Sequence, residues 1–360
     1  MASLGRSLQF VYPRRTHLNQ HLQNNFKRDY MSSSDQKKKV LITCTIPTVA
    51  SDYIHQRLPS SRYEIEQWPH EDTMSEEELS KKIVDVEGLY CILVNKVKGK
   101  VLDNANKLKI VSTMSVGFDH IDVKECTRRG IVVGNTPGVL TETTADLVLA
   151  LTLATCRRIN ESAEAVKSGE WGAWKPEWMC GKDLHSSTVG IIGMGNIGRS
   201  VARRLHAFNC KILYTGKNEK RDLPSEWKAE YVDMNTLLST SDFVLPQCPS
   251  NDETRGMFSI DAFKKMKPSS VFINTTRGDL VDQEALYEAL DKKMILAAGI
   301  DVTTPEPLPV DHKLLTLKNL TVLPHVGSAT METRGRMALL AAENLVNGLE
   351  GGELRHRVNT

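Results

Sequence analysis

Three ionisable side chains in the C-terminal half of the chain stand just past apolar runs. Arg277 follows VFINTT at 271–276, Glu306 follows GIDVTTP at 299–305, and His325 follows TVLP at 321–324. Apolar, β-branched runs of this kind read as buried parallel strands, covered by helices on both faces. In an open α/β sheet, ligands bind outside the carboxyl ends of the strands, so all three side chains are expected at one crevice. A guanidinium presents a planar fork that matches a carboxylate. An imidazole, titrating near about pH 6.5, is the side chain suited to proton transfer at neutral pH. A carboxylate hydrogen-bonded to that imidazole favours its charged form and fixes the ring. Taken singly, each residue also has an ordinary reading: a surface arginine, a loop glutamate between prolines, a histidine capping a turn.

A second pattern supplies what those three lack. Residues 189–198, VGIIGMGNIG, run from a strand into G-x-G-x-x-G, and an amphipathic stretch follows. Strand before and helix after is the context a dinucleotide turn requires. Gly193 permits the tight turn, Gly195 lets the backbone approach a pyrophosphate, and Gly198 lets helix and strand pack closely. Asn196 and Ile197 open the helix, whose free N–H groups and dipole favour negative charge. The next strand ends in Thr215, Gly216 and Lys217, with no acid at the tip and with Lys220 and Arg221 nearby. NAD enzymes place an acid there against the ribose 2′-hydroxyl. A cation there suits a 2′-phosphate, so the cofactor expected is NADP(H). The competing reading has Glu219 meet the 2′-hydroxyl instead. Thr275, just before Arg277, joins the cofactor set. With a nicotinamide as hydride donor, the arginine, histidine and glutamate complete what the reduction of a 2-oxo acid needs: a cation for the carboxylate and a proton for the forming alkoxide.

The elements that must position these residues alternate strand and helix. Strands are expected at 40–45, 88–94, 109–114 and 131–133, with a helix over 75–86. A long apolar helix, 141–159, follows the turn Asn135-Thr136-Pro137-Gly138. A second series has strands at 189–192, 212–214, 243–245, 271–274, 295–301 and 320–323, and a final helix at 330–347. Alternation of this kind implies doubly wound α/β sheets, and 360 residues suit two domains. With 46 basic against 44 acidic residues, the charge gives no reason to expect nucleic acid as a partner. No apolar run nears the roughly 20 residues of a membrane helix. The seven cysteines form no C-x-x-C pair, which speaks for reduced thiols and against a disulfide framework or a metal site. Residues 1–30 carry five basic residues and one acid. That is the composition of a mitochondrial presequence and equally of a solvated tail. Met31 as an alternative start would give a shorter, cytoplasmic chain.

The segments VFINTTRGDL (271–280), AGIDVTTPEPLP (298–309) and LPHVGSAT (323–330) resemble the signatures of the D-2-hydroxyacid dehydrogenases, and the likeness runs from about Val40 to the C-terminus. The resemblance implies that Arg277, Glu306 and His325 are the catalytic set. It also implies a substrate-carboxylate loop at Ser115, Val116 and Gly117, and contacts to the nicotinamide end from Asp301, Arg277 and Gly327. The segments STMSVG (112–117), WGAWKP (171–176) and YTGK (214–217) are most similar to the branch that reduces glyoxylate and hydroxypyruvate. That branch implies a homodimer in which Trp174 reaches the partner's substrate pocket. The implied architecture is a Rossmann domain, 139–321, inserted into a flavodoxin-like substrate domain made of 39–138 and 322–360, with residues 1–38 as an extension. Pocket size is expected to depend on Trp174 and on the loop around Asn95. One departure stands out: the family's His-x-Pro-x-Thr stretch is Pro246-Gln247-Cys248-Pro249-Ser250 here. Two rivals share the fold, a dinucleotide-binding transcriptional corepressor and another dehydrogenase of the phosphoglycerate or D-lactate type.

Overall fold

A computed structural model of the chain describes residues 36–70 and 72–359. Residues 1–30, read above as a presequence or a solvated tail, lie outside the described residues. The first half builds β1 (Lys38–Ile42), α1 (Thr48–Arg57), β2 (Tyr63–Gln67), α2 (Glu76–Lys82), β3 (Val86–Cys91), α3 (Lys100–Asn104), β4 (Ile110–Thr113), α4 (Val123–Arg128) and β5 (Val132–Gly134). Its strands pair in parallel in the order β2-β1-β3-β4-β5, the order of flavodoxin-like sheets. Strand β4 is buried at every residue, as a sheet covered on both faces demands. Strand β2 escaped the sequence reading for a physical reason. Its YEIEQ alternates wet and dry sides at the sheet edge, so it shows no continuous apolar run. The helix expected over 75–86 is shorter: Ser75 caps it with a capping box, and after Lys82 it tightens into a 3₁₀ turn, Ile83–Asp85, before β3 begins.

The chain then crosses into α5 (Thr141–Cys156) and α6 (Ile159–Lys167). These are two helices where one was expected, because Arg158 adopts a left-handed backbone, φ 54°, between them. The second series is β6 (Thr188–Ile192), α7 (Asn196–Ala207), β7 (Lys211–Thr215), β8 (Glu230–Tyr231), α8 (Met234–Thr240), β9 (Phe243–Pro246), α9 (Ile260–Lys265), β10 (Val271–Asn274), α10 (Gln283–Asp291), β11 (Ala297–Ile300), β12 (Leu320–Val322) and α11 (Met331–Glu350). The sheet runs β12-β11-β10-β9-β6-β7-β8, all parallel. Numbered from its own first strand, β6, that is 3-2-1-4-5-6-7, the Rossmann order with one further strand. The two-residue β8 is too short to leave a periodic signal. Helix α11 runs three residues past its expected end and stops at Gly351, whose φ of 75° closes it.

The last helix ties the C-terminus back to the first sheet. The Tyr90 hydroxyl donates to the Ala338 carbonyl at 3.3 Å, Ser112 Oγ to Ala341 at 2.7 Å, and Asn344 Nδ2 to Asn135 at 3.0 Å. Helix α5 instead lies on β10 and β11 of the second sheet. Ile197, in the first turn of α7, packs against the apolar cores of both sheets. The two sheets therefore meet where the glycine turn opens. Among the described residues, no helix is long and apolar enough to cross a membrane, and no group of three or more His, Cys, Asp or Glu side chains is placed to hold a metal ion.

Candidate active site

A cleft of about 500 Å³ lies between the two sheets. Ser115, Val116 and Gly117 line one side, and Gly195, Asn196 and Ile197 another; Thr275, Arg277, His325 and Gly327 complete it. Segments more than 200 residues apart in sequence are thus gathered at the strand ends, the place where open α/β sheets bind ligands.

Arg277 leaves the end of β10 pinned on three sides. Its Nε donates to Asp119 Oδ1 at 2.9 Å, its Nη1 donates to the Thr276 carbonyl at 2.8 Å, and its own carbonyl accepts from Asn274 Nδ2 at 2.8 Å. Burial pushes the Asp119 carboxyl up, but the Arg277 guanidinium beside it prevails and holds it below the usual range. The Arg277 fork lies over Gly117 so closely that a Cβ there would stand 2.0 Å from Nη2. The loop beneath is held by Ser115, whose hydroxyl lies 2.8 Å from Thr113 Oγ1 and donates to the Gly117 carbonyl at 2.7 Å. Thr113 in turn lies 3.0 Å from Nε2 of His120, whose imidazole burial pushes down to about 4, so it is neutral beneath the loop.

His325 sits in a left-handed backbone conformation, φ 55°, uncommon for a residue with a Cβ and a mark of a functional turn. Its N–H donates to the Asp301 carbonyl at 2.9 Å. The Asp301 side chain accepts from Val326 N and Gly327 N, both at 2.8 Å. One buried aspartate therefore holds the whole turn. Burial pushes its carboxyl above the usual range against the opposing pull of those two amides. Nδ1 of His325 meets Glu306 Oε2 at 2.9 Å, and the other glutamate oxygen accepts from Thr303 N at 2.9 Å. Burial pushes Glu306 up, but the hydrogen bond and charge of His325, with the Thr303 amide and Arg277, hold it below the usual range. Since Nδ1 faces Glu306, Nε2 is the nitrogen left for a substrate.

The glycine turn has the form a dinucleotide needs. Gly193 has φ 105°, and a Cβ on Gly198 would meet the Gly193 carbonyl at 2.2 Å. Gly195 has open space around its Cβ position, and no side chain caps the first N–H groups of α7. Further along the cleft, Thr275 Oγ1 and both amide atoms of Gln247 are buried without a hydrogen-bond partner. Buried polar groups are normally satisfied, so these orphans fit a bound polar group. Thr215 accepts from Gly193 N at 2.9 Å, which sets Gly216 beside the turn, while Lys217 stands exposed two residues beyond. Burial raises the Cys248 thiol to about 11, which leaves it inert as a nucleophile.

Glu306 takes its expected place against His325, while Asp301, expected at the nicotinamide end, spends its oxygens on the 325–327 turn rather than lining the cleft. Trp174 is 82% exposed, and the chain's own fold does not carry it to the cleft. The loop around Asn95 reaches the cleft through Leu93, while the Asn95 side chain itself is buried in a clasp with Thr43, Ile92 and Met74. Sequence reasoning also missed Asp119, Thr144 and Arg334. Their signal was weak: Asp119 lies in a loop, Thr144 is one of several threonines on the apolar α5, and Arg334 lies on the amphipathic α11, where a charge is unremarked.

Two parallel sheets of flavodoxin-like and Rossmann order, with a glycine turn, Arg277 and the His325–Glu306 pair gathered where they meet, define a dinucleotide-dependent dehydrogenase. Residues 149–327 match the family model described as D-isomer specific 2-hydroxyacid dehydrogenase, NAD binding domain. The chain is 48% identical to the glyoxylate reductase/hydroxypyruvate reductase of Mus musculus over 315 residues, 87% of this chain and 95% of that one. It is 42% identical to the glyoxylate reductase of Korarchaeum cryptofilum, across 86% of this chain and 92% of the other. A solved structure of an NADPH-dependent glyoxylate/hydroxypyruvate reductase from Sinorhizobium meliloti, in complex with NADP and malonate, superposes with a TM-score of 0.77 at 31% identity, covering 90% of this chain and 97% of that one. The chain belongs to the D-isomer specific 2-hydroxyacid dehydrogenase family.

Proposed function

We propose that the protein reduces glyoxylate and hydroxypyruvate to glycolate and D-glycerate with NADPH. The observation that carries this reading is the pairing of a pinned Arg277 fork with a His325–Glu306 dyad in one cleft beside a dinucleotide turn. The curated relatives named for these two substrates, and the relative solved with NADP and malonate, support the substrate class and the cofactor. When bound, the reduced nicotinamide supplies the hydride.

The chain's own residues do the rest. The free edge of Arg277 takes the substrate carboxylate, assisted by backbone N–H groups of Val116 and Gly117, and so orients the carbonyl carbon. Nε2 of His325 donates a proton to the carbonyl oxygen as negative charge develops on it, a contribution of roughly 10²- to 10⁴-fold. Glu306, hydrogen-bonded at Nδ1, keeps the ring turned so that Nε2 faces the substrate. Asp301 supports the turn that aims it. Gly193, Gly195 and Gly198, with Asn196, Ile197, Thr215, Gly216 and Thr275, seat the dinucleotide, and Lys217 meets the 2′-phosphate. The chain divides into a dinucleotide domain, 139–321, and a substrate domain, 39–138 with 322–360; the separate sheets and the return of α11 to the first sheet support two such parts, while Val322, paired with Ile300 in β12, and Lys38, paired with Tyr63 in β1, each move a boundary by one residue. The exposed Trp171 and Trp174 support a homodimer in which Trp174 enters the partner's cleft.

The test is oxidation of NADPH and of NADH at 340 nm with glyoxylate, hydroxypyruvate and pyruvate. Fast NADPH oxidation with the first two is expected. Tight dinucleotide binding with no turnover would overturn the enzyme reading in favour of a dinucleotide-gated binding protein.

A further inference from the structure

The cleft holds a second guanidinium that the mechanism above leaves idle. Arg334 lies in the first turn of α11, one turn before Met337, and both line the cleft alongside Thr144, Gly327 and Ser328. Among the described residues its side chain makes no ion pair and has no hydrogen-bond partner, whereas the neighbouring Arg336 takes Glu332 and Thr333. It is half-buried, and that burial lowers its basicity, with nearby Asp301 the one charge opposing the shift. Asp301 is already committed to the Val326 and Gly327 amides. A guanidinium carries five donors and no acceptor, and holding one partly out of water without an anion is unfavourable unless a ligand meets it.

The other polar positions of a bound 2-oxo acid have claimants. On the reading proposed above, Arg277 takes the carboxylate and His325 the carbonyl oxygen. What remains is the substituent on the carbonyl carbon. Arg334 is on a separate element, beyond the turn that carries His325, and offers donors only. We propose that Arg334 is a specificity-determining residue that hydrogen-bonds an oxygen on the third carbon of the substrate, favouring 2-oxo acids with a 3-hydroxyl or 3-carboxylate over those that end at the second carbon or in a methyl group. This inference rests on the proposed 2-oxo acid chemistry.

The test compares KM and kcat for hydroxypyruvate, which has the third-carbon oxygen, with those for glyoxylate, which has no third carbon, in the wild type, Arg334→Met and Arg334→Lys. Loss of a hydrogen bond from a charged donor corresponds to a change of about 10- to 100-fold. The expected result is that Arg334→Met raises KM for hydroxypyruvate by that factor, moves KM for glyoxylate less than about threefold and leaves kcat for glyoxylate near the wild-type value, with Arg334→Lys recovering part of the loss. The glyoxylate kinetics also report whether each variant is folded. An equal rise in both KM values would make Arg334 a general anion or structural residue, and no rise in either would exclude it from the substrate; both outcomes overturn the inference. If instead the wild type turned over neither compound, the proposed function would fail before Arg334 was tested.

Discussion

Adding one methyl group at Gly117 should separate activity from stability. A Cβ there would lie 2.0 Å from Nη2 of Arg277, 2.9 Å from its Cζ and 3.0 Å from Asp119 Oδ1. Ordinary van der Waals contact begins near 3.4 Å, so the guanidinium nitrogen must retreat by about 1.4 Å. The fork is not free to do so, because Nε is held by Asp119 and Nη1 by the Thr276 carbonyl. Moving it breaks at least one of those bonds or tilts the fork away from the carboxylate. A displacement of about 1 Å in a positioning group costs about 100-fold in rate. Gly117→Ala should therefore lower kcat/KM for both proposed substrates by about 100-fold. The added methyl faces the cleft and not a core, so Tm should shift by less than about 2 °C. Steady-state kinetics and a thermal melt on the same preparation read both quantities. Wild-type kcat/KM would refute the claim that the 115–117 loop and Arg277 form one anion site.

Other perturbations test separate parts of the site. Asp301→Asn leaves one of the Val326 and Gly327 amides facing a donor; it should destabilise the fold by about 1–3 kcal/mol and slow turnover, checked by urea denaturation and kcat. Glu306→Gln removes the carboxylate that holds the His325 ring at Nδ1, so kcat/KM should lose part of the roughly 10²- to 10⁴-fold that positioned proton transfer contributes. The same variant checks a stability sign: the depressed Glu306 carboxyl stabilises the fold above its ordinary value, and that contribution is lost as pH falls through its lower folded value. The acid-side fall in Tm should accordingly be shallower in Glu306→Gln than in the wild type. Lys217→Asp should shift the NADPH-to-NADH preference toward NADH by about tenfold or more, read from kcat/KM for each cofactor; an unchanged preference would remove Lys217 from the 2′-phosphate site.

Much of the site was legible in the sequence because strand ends announce it. Arg277 and His325 each follow a short apolar run, and G-x-G-x-x-G carries its own strand and helix. What was illegible depends on chain segments meeting. Asp119 pins Arg277 from 158 residues away, and nothing local to either residue says so. Asp301 reads as a strand-end carboxylate facing ligand, yet the left-handed turn at His325 brings two amides onto it. Arg334 looks like any charge on an amphipathic helix until α11 is seen to pass beside the cleft. Strand β2 was hidden by its polar edge, and the break at Arg158 by a backbone state that arginine rarely adopts.

The most direct test of the central claim is the fate of the hydride. Hydroxypyruvate reduced with NADPH carrying deuterium at the transferable position of the nicotinamide should yield D-glycerate with one deuterium at the second carbon, and the Arg277→Ala variant should yield almost none. Unlabelled product, L-glycerate, or equal yield from the variant would contradict the account.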